Sequence, residues 1–339
     1  MQPGKISTGS QVGSNGGGLC LRPTSATVQG ANQAAAAAKL GCATAMVGQV
    51  GSDGGAGFML SNLQAQGVQI DGTVRQLDQQ ATGTALVMLL PSGENSIIIV
   101  GGANTAAWSL SQQQKDAILQ AKSVLLQREI PDSVNLQVAQ MCRQAGVDVI
   151  LDAGGAEGPM SAELLSCLSI LSPNETELSR MTEMAITSPA DVLAACKLLQ
   201  QQGASDVLVK LGSRGSVLVT STHTSCPLHG RTKHRQHVSR SCMHHSTPFM
   251  FEKCLGQRNA GAESGDVVEQ QVVPVKHVVD TTGAGDCFTA AFGVARFVRG
   301  LDEKDALRFA SAAAALCIQS VGAMSSMPSA AQVQAITAV

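Results

Sequence analysis

The chain of 339 residues contains no tyrosine, one tryptophan and seven phenylalanines. So few rings give nucleic-acid bases little to stack on. Charged residues make up 14%, against ~25% in typical soluble domains. Lys and Arg number 23 and Asp and Glu 25, for a formal net charge of −2. Without a basic excess, neither nucleic acid nor an anionic membrane fits as the main partner. No apolar run reaches the ~18–20 residues of a membrane span. The longest candidate, around Ala310–Ile318, is short and Ala-rich. Ten cysteines are present, but none forms a C-x-x-C pair. They read as reduced thiols in a reducing compartment. A G-x-x-x-x-G-K-[ST] run is also absent, which excludes a P-loop kinase. No G-x-G-x-x-G follows a strand pattern, so the dinucleotide-binding fingerprint is missing too.

What is present is 44% hydrophobic, enough for a large core and too much for general disorder. Residues 1–29 are rich in Gly, Ser, Thr and Gln, with Lys5 and Arg22 as their sole charges, and no Asp or Glu precedes Asp53. They read as a disordered tail or a transit-type presequence, which points to a plastid or the cytoplasm. From Gly30 the pattern is regular. Helices are expected at 31–40, 57–66, 132–145, 175–182, 189–202, 285–299, 302–320 and 329–338. Strands are expected at 44–50, 124–127, 147–151, 170–171, 207–210 and 216–219, with an extended run at 271–275. The apolar runs 84–90 and 96–100, joined by Pro91-Ser92-Gly93-Glu94-Asn95, read as a hairpin outside this rhythm. Alternation of this kind predicts an α/β layered fold with a largely parallel sheet.

The sharpest motif is Val278-Val279-Asp280-Thr281-Thr282-Gly283-Ala284-Gly285-Asp286, placed at a helix start. Small residues there let successive backbone N–H groups face one concave space, an anion-binding nest. Asp286 falls in the first helical turn. Alone it reads as a dipole-favoured helix carboxylate. Beside an anion nest it reads as a base that takes the proton of a hydroxyl attacking a phosphoryl group.

This run resembles the second signature of the ribokinase-like (PfkB-type) carbohydrate kinases. Gly30-Ala31-Asn32-Gln33, Gly48 to Asp53, Gly101-Gly102-Ala103-Asn104, Gln127-Arg128-Glu129, Ser172 to Glu177, Lys210 to Gly215 and Gly322 to Pro328 continue the likeness. The stretches 149–155 and 171–181 resemble the plant-type branch in particular. The resemblance implies a three-layer α/β/α domain over 30–339, with a largely parallel central sheet and a small β lid near 84–100. It implies ATP-dependent phosphorylation of D-ribose at its 5-hydroxyl, with magnesium and a potassium ion as cofactors. Asp286 would be the base, and Gly283, Ala284 and Gly285 the anion hole. Gly30, Asn32 and Glu129 would hold sugar hydroxyls. Asn174, Lys210, Leu211, Gly212, Ser213, Arg214, Gly215, Gly285 and Ser311 would line ATP, and Glu177 the magnesium–phosphate region. Asp280, Thr282, Cys317, Ser320, Gly322 and Ser326 would surround potassium. A homodimer through the lid is a further expectation.

Two features depart from the family pattern. The first strand of such kinases carries a sugar-binding Asn-x-Asp, and residues 1–29 hold no counterpart; Thr27-Val28-Gln29 stands where Gly-Gly-Lys is expected. The central sheet should therefore lack its N-terminal strand. Residues 222–266 break the periodicity and contain six of the seven histidines with Cys226, Cys242 and Cys254. They read as an insertion at a hairpin tip, either a loop or translated intron, with zinc at Cys226, His229, Cys242, His244 and His245 as the alternative. Other readings of the whole chain are a fructokinase or nucleoside kinase of the same family, or a non-enzymatic relative impaired by the lost segment.

Overall fold

The computed structural model describes residues 20–25, 28–89, 95–221 and 265–337. The first described element is a strand, β1 (Cys20–Ser25), followed by α1 (Val28–Lys39). β2 (Gly48–Val50) pairs in parallel with β3 (Val74–Gln76) across α2 (Gly54–Ala65). β4 (Thr84–Leu89) and β5 (Asn95–Val100) form the expected hairpin, and β1 pairs antiparallel with the outer edge of β4. Next come α3 (Gln112–Leu119), β6 (Ser123–Gln127), α4 (Asp132–Ala145), β7 (Asp148–Asp152), α5 (Ala162–Cys167), β8 (Ile170–Ser172), α6 (Glu175–Thr182), α7 (Pro189–Gln201) and β9 (Asp206–Lys210). β10 (Ser216–Val219), β11 (Val267–Gln270), α8 (Ala284–Gly293), α9 (Glu303–Cys317) and α10 (Ala330–Thr337) complete the described chain.

The central sheet has the order β11-β10-β9-β8-β7-β6. β6 to β9 are parallel, while β10 and β11 are antiparallel at one edge. Its strands are apolar on both faces because both faces are covered. Val149, Leu151, Leu171, Val207 and Val209 pack toward α4, α5, α6 and α7. Ile150, Ile170, Leu208 and Leu218 point the other way, into Ala36, Leu40, Phe292, Phe309 and the Ala-rich face of α9. The result is the three-layer α/β/α arrangement, with α1, α8, α9 and α10 as one outer layer.

Several elements differ from expectation. β1 lies inside the segment read as unstructured, and α1 starts within it too. Pro23 interrupts any strand signal in β1, and such a strand is tolerated only at a sheet edge, which is where β1 sits. α3 has no apolar stripe; its signature is the Ser111–Gln114 capping box instead. α5 and β3 are short and carry no periodicity that would announce them. β2 is shorter than the expected strand, and β11 precedes the expected extended run at 271–275. Residues 222–264, with the cysteines and histidines of the zinc alternative, lie outside the described residues. They connect β10 to β11, which pair antiparallel, so the insertion does occupy a hairpin connection.

Among the described residues, no strand pairs with the outer edge of β6. A cavity of about 730 Å³ lies there, lined by Met46 to Gln49 around β2 and by Ser123 to Gln127 of β6. Ala34 and Ala37 of α1 and Val134 and Val138 of α4 close its sides. It is a slot between two strand edges, as the absence of a first strand would leave. No described helix is long and apolar enough to cross a membrane.

Closing a hairpin through a long connection costs entropy that rises with its length. Replacing residues 222–264 by a four-residue turn should raise the unfolding free energy by about 2 kcal/mol. Urea denaturation measures it; a loss of stability would mean the segment makes contacts the core needs.

Candidate active site

Parallel strands end at one edge of their sheet, and ligands bind beyond those carboxyl ends. Here β6 delivers Gln127 and, just past its end, Glu129; β7 delivers Asp152; β8 delivers Ser172 and then Asn174; β9 delivers Lys210. The starts of α1 and α8 face the same edge, because Asn32 Nδ2 donates to Asp286 Oδ2 at 2.8 Å.

Asp286 is the third residue of α8, buried with 7% exposure. Gln33 Nε2 reaches its other oxygen at 3.4 Å. Burial pushes the Asp286 pKa well above the ordinary carboxylate range, and the charge of Asp152 adds to the push. The Asn32 hydrogen bond and Lys210 oppose it. Gly283 caps α8 with φ 78°, a left-handed conformation that favours glycine, and a Cβ there would come within 2.9 Å of Ala323 Cβ. The amides of Gly283, Gly285 and Asp286 donate to no described protein acceptor, as expected at a helix start. The Ala284 amide instead donates to Thr281 O at 3.2 Å.

Lys210 Nζ donates to Asp152 Oδ2 at 2.7 Å. A Cβ added to Gly285 would lie 3.9 Å from that ammonium, so Lys210 flanks the nest. Burial works against its charge, but Asp152 and Glu177 outweigh burial and hold its pKa above the usual lysine value. Asn174 and Glu177 form a reciprocal capping box at the start of α6, each donor–acceptor distance being 2.8 Å. Asn174 also bridges Lys210 through the backbone. Burial raises the Glu177 pKa, countered by Lys210. Leu211 leads into a 3-10 turn, Gly212–Arg214, and Gly215 returns the chain to β10. There Arg214 pairs with Glu175, and Ser213 stands exposed on the turn.

On the sugar side, Gly30 is the third residue of α1, where a Cβ would meet Gln127 Oε1 at 2.8 Å. Glu129 is half-buried and accepts from Gln29 N at 3.3 Å. Asp280 clamps the second loop: its oxygens accept from Thr282 N and Gly322 N, both at 2.9 Å. Cys317 Sγ lies 3.1 Å from Ser326 Oγ, and Ser320 N donates to Cys317 O at 3.3 Å. All six residues expected around potassium are therefore tied into two neighbouring loops. Ser311, by contrast, is buried in α9 and shares no hydrogen bond with the other described site residues.

Sequence patterns assign no role to Asp152, Gln33, Thr289 or Gln127, yet these four link the others. Gln127 Nε2 donates to Gln33 Oε1 at 2.7 Å, and Gln33 Nε2 to Asp152 Oδ2 at 3.2 Å. Thr289 Oγ1 donates to the same oxygen at 2.9 Å. The available signal is Asp152 itself, a carboxylate ending the run Val149-Ile150-Leu151.

Residues 29–235 and 260–330 match the model of the pfkB family carbohydrate kinases. The chain belongs to this family. Its fold and kinase activity are those of the family. It is 42% identical over 304 residues to the ribokinase of Arabidopsis thaliana, covering 88% of this chain and 69% of that one. With the ribokinase of Bacillus subtilis it shares 33% identity over 303 residues, 88% of this chain and 83% of the other. The solved Arabidopsis ribokinase complexed with ribose and ATP superposes with a TM-score of 0.76 and 41% identity, covering 92% of this chain and 87% of that one.

A carboxylate with a raised folded pKa binds its proton more tightly in the native state, so its stabilising contribution is lost as pH rises through that pKa. At neutral pH the Asp286 charge is thus a cost. Asp286→Asn should melt higher than wild type at pH 7, with the advantage vanishing below the unfolded value of ~3.9. The same variant should lose about 10²–10⁴-fold in kcat as the base is removed. Calorimetry across pH and coupled kinase assays check the two halves.

Proposed function

We propose that this kinase transfers the γ-phosphoryl group of ATP to the 5-hydroxyl of D-ribose, giving ribose 5-phosphate and ADP. One observation carries the reading: a buried carboxylate, Asp286, is held by Asn32 inside the first turn of α8, beside three free amides. The relative solved with ribose and ATP supports the substrate pair.

Asn32 and Gln33 fix the carboxylate, and Asp286 takes the hydroxyl proton as the oxygen attacks. The new O–P bond forms while the bond to the β-phosphate breaks. The amides of Gly283, Gly285 and Asp286 and the Lys210 ammonium meet the developing charge. Gly30, Asn32 and Glu129 orient sugar hydroxyls. Asn174 and Lys210 to Gly215 line the nucleotide, with Ser311 behind.

Magnesium is commonly carried by substrate phosphates and waters; Glu177 is the carboxylate that would face those waters. The oxygen-rich loops clamped by Asp280 fit a hard monovalent cation, and potassium would neutralise charge behind the nest. The acid-free stretch before Asp53 supports a plastid destination over the cytoplasm, and the β1-β4-β5 sheet is the surface for a homodimer.

A second reading, an impaired relative, is favoured by the outer edge of β6, which no described strand pairs with. Radiolabelled ATP offered with ribose, fructose and adenosine separates these. Ribose should be turned over at least tenfold better than the others in kcat/KM, a difference of about 1.4 kcal/mol. Preference for a nucleoside would reassign the substrate. No turnover of any acceptor, with Asp286→Asn unchanged from wild type, would favour the impaired relative.

A further inference from the structure

Asp152 ends β7, whose residues Val149, Ile150 and Leu151 are fully buried, and is itself 2% exposed. Its Oδ2 accepts from Lys210 Nζ at 2.7 Å, Thr289 Oγ1 at 2.9 Å and Gln33 Nε2 at 3.2 Å. Its Oδ1 accepts from Gly154 N at 3.3 Å. Four donors thus hold the two oxygens of this carboxylate in one orientation. Each of its side-chain partners also neighbours the reacting centre. Thr289 lies one turn after Asp286 on α8. Gln33 touches Asp286, at 3.4 Å. Lys210 flanks Gly285.

We infer that Asp152 is a positioning residue for phosphoryl transfer: it fixes the Lys210 ammonium beside the nest. The inference rests on the function proposed above. A lysine side chain has many rotamers, and a cation that must be found among them contributes less than one already aimed. Asp152 supplies the aim. The charged groups around the pair are Asp286 on α8, Glu177 on α6 and Glu129 beyond β6. Lys210 is the cation among them, so without Asp152 its position is set by the remaining carboxylates. During transfer the hydroxyl proton goes to Asp286.

The test is steady-state kinetics with ribose and ATP on the full chain, comparing wild type, Asp152→Asn, Lys210→Met and the double variant. Asp152→Asn should lower kcat by about 10²-fold, the scale for losing one preorganised charge-stabilising donor. KM for ribose should stay within about threefold, because the aimed ammonium acts in the transition state rather than on the bound sugar. The acid limb of kcat/KM should move to lower pH, since Asp286 loses a negative neighbour. A merely structural residue would leave that limb in place. The double variant should be no slower than Lys210→Met, because Asp152 acts through Lys210. It also carries no unpaired buried cation, so it reports even where Asp152→Asn folds poorly. Wild-type activity with Asp152→Asn unchanged in kcat would overturn the inference, as would a double variant at least tenfold slower than Lys210→Met. An inactive wild type would instead overturn the function it rests on.

Discussion

Two carboxylates, Asp152 and Asp286, lie buried at one edge of the sheet with one ammonium, Lys210, pairing with the first of them. Like charges in a low-dielectric setting repel, so the arrangement survives only if each oxygen is held by a donor. The donors come from four separate elements: Asn32 and Gln33 from α1, Thr289 from α8, Lys210 from β9 and the Gly154 amide beyond β7. Satisfying two acids therefore fixes two helices of one outer layer against two strands of the middle layer. The packing of Phe292 and Ile150 beneath them makes that geometry stiff. Polar groups gather at the carboxyl edge because the rest of each strand is apolar on both faces and has no room for them.

The same constraint bears on Asp286 as the proposed base. A carboxylate whose pKa is raised by burial and by a neighbouring acid is a stronger base once it has lost its proton. The nest beside it has the opposite polarity, with free amides at a helix start. Sugar hydroxyl and phosphoryl group are thus drawn to adjacent points by opposite fields. An anionic phosphoryl group would satisfy the nest, and proton transfer would neutralise Asp286. A carboxylate perturbed in this way marks a surface built for a reaction rather than for stability.

Much of this is legible from residues alone where a local rule and a tertiary demand agree. The run ending at Asp286 declares a turn, a nest and a helix start together, and the Asn174–Glu177 spacing declares a capping box. The central strands are visible because burial on both faces leaves uninterrupted Val, Ile and Leu. β1 is not, because an edge strand in a small sheet needs no apolar alternation and accepts Pro23. α3 is hidden by Gln-rich composition. The Gln33–Asp152–Thr289 network is hidden for another reason: its members are separated by more than a hundred residues. Nothing at the level of spacing connects them: Asp152 ends β7, whereas Gln33 and Thr289 lie within α1 and α8.

The slot beside β6 bears on the site more directly than its distance from Asp286 suggests. Its lining includes Gly30, Gln33, Gln127 and Glu129 as well as the apolar walls. Two of these, Gly30 and Glu129, are residues proposed above to orient ribose hydroxyls. Gln127 and Gln33 bond to each other across its rim at 2.7 Å, which keeps Gln33 aimed at the two carboxylates. Asp152, Lys210 and the nest, on β7, β9 and the start of α8, are not in the lining themselves, although Ala290 and Gly293 of α8 and the neighbouring Gln33 are. An open β6 edge should therefore weaken the grip on the sugar more than the handling of the phosphoryl group. In free-energy terms it acts on orientation, where small displacements are costly, and leaves electrostatic stabilisation largely in place. The two halves stand on different parts of the sheet: β7 and β9, which bear Asp152 and Lys210, are paired along both edges, whereas among the described residues β6 is paired along one.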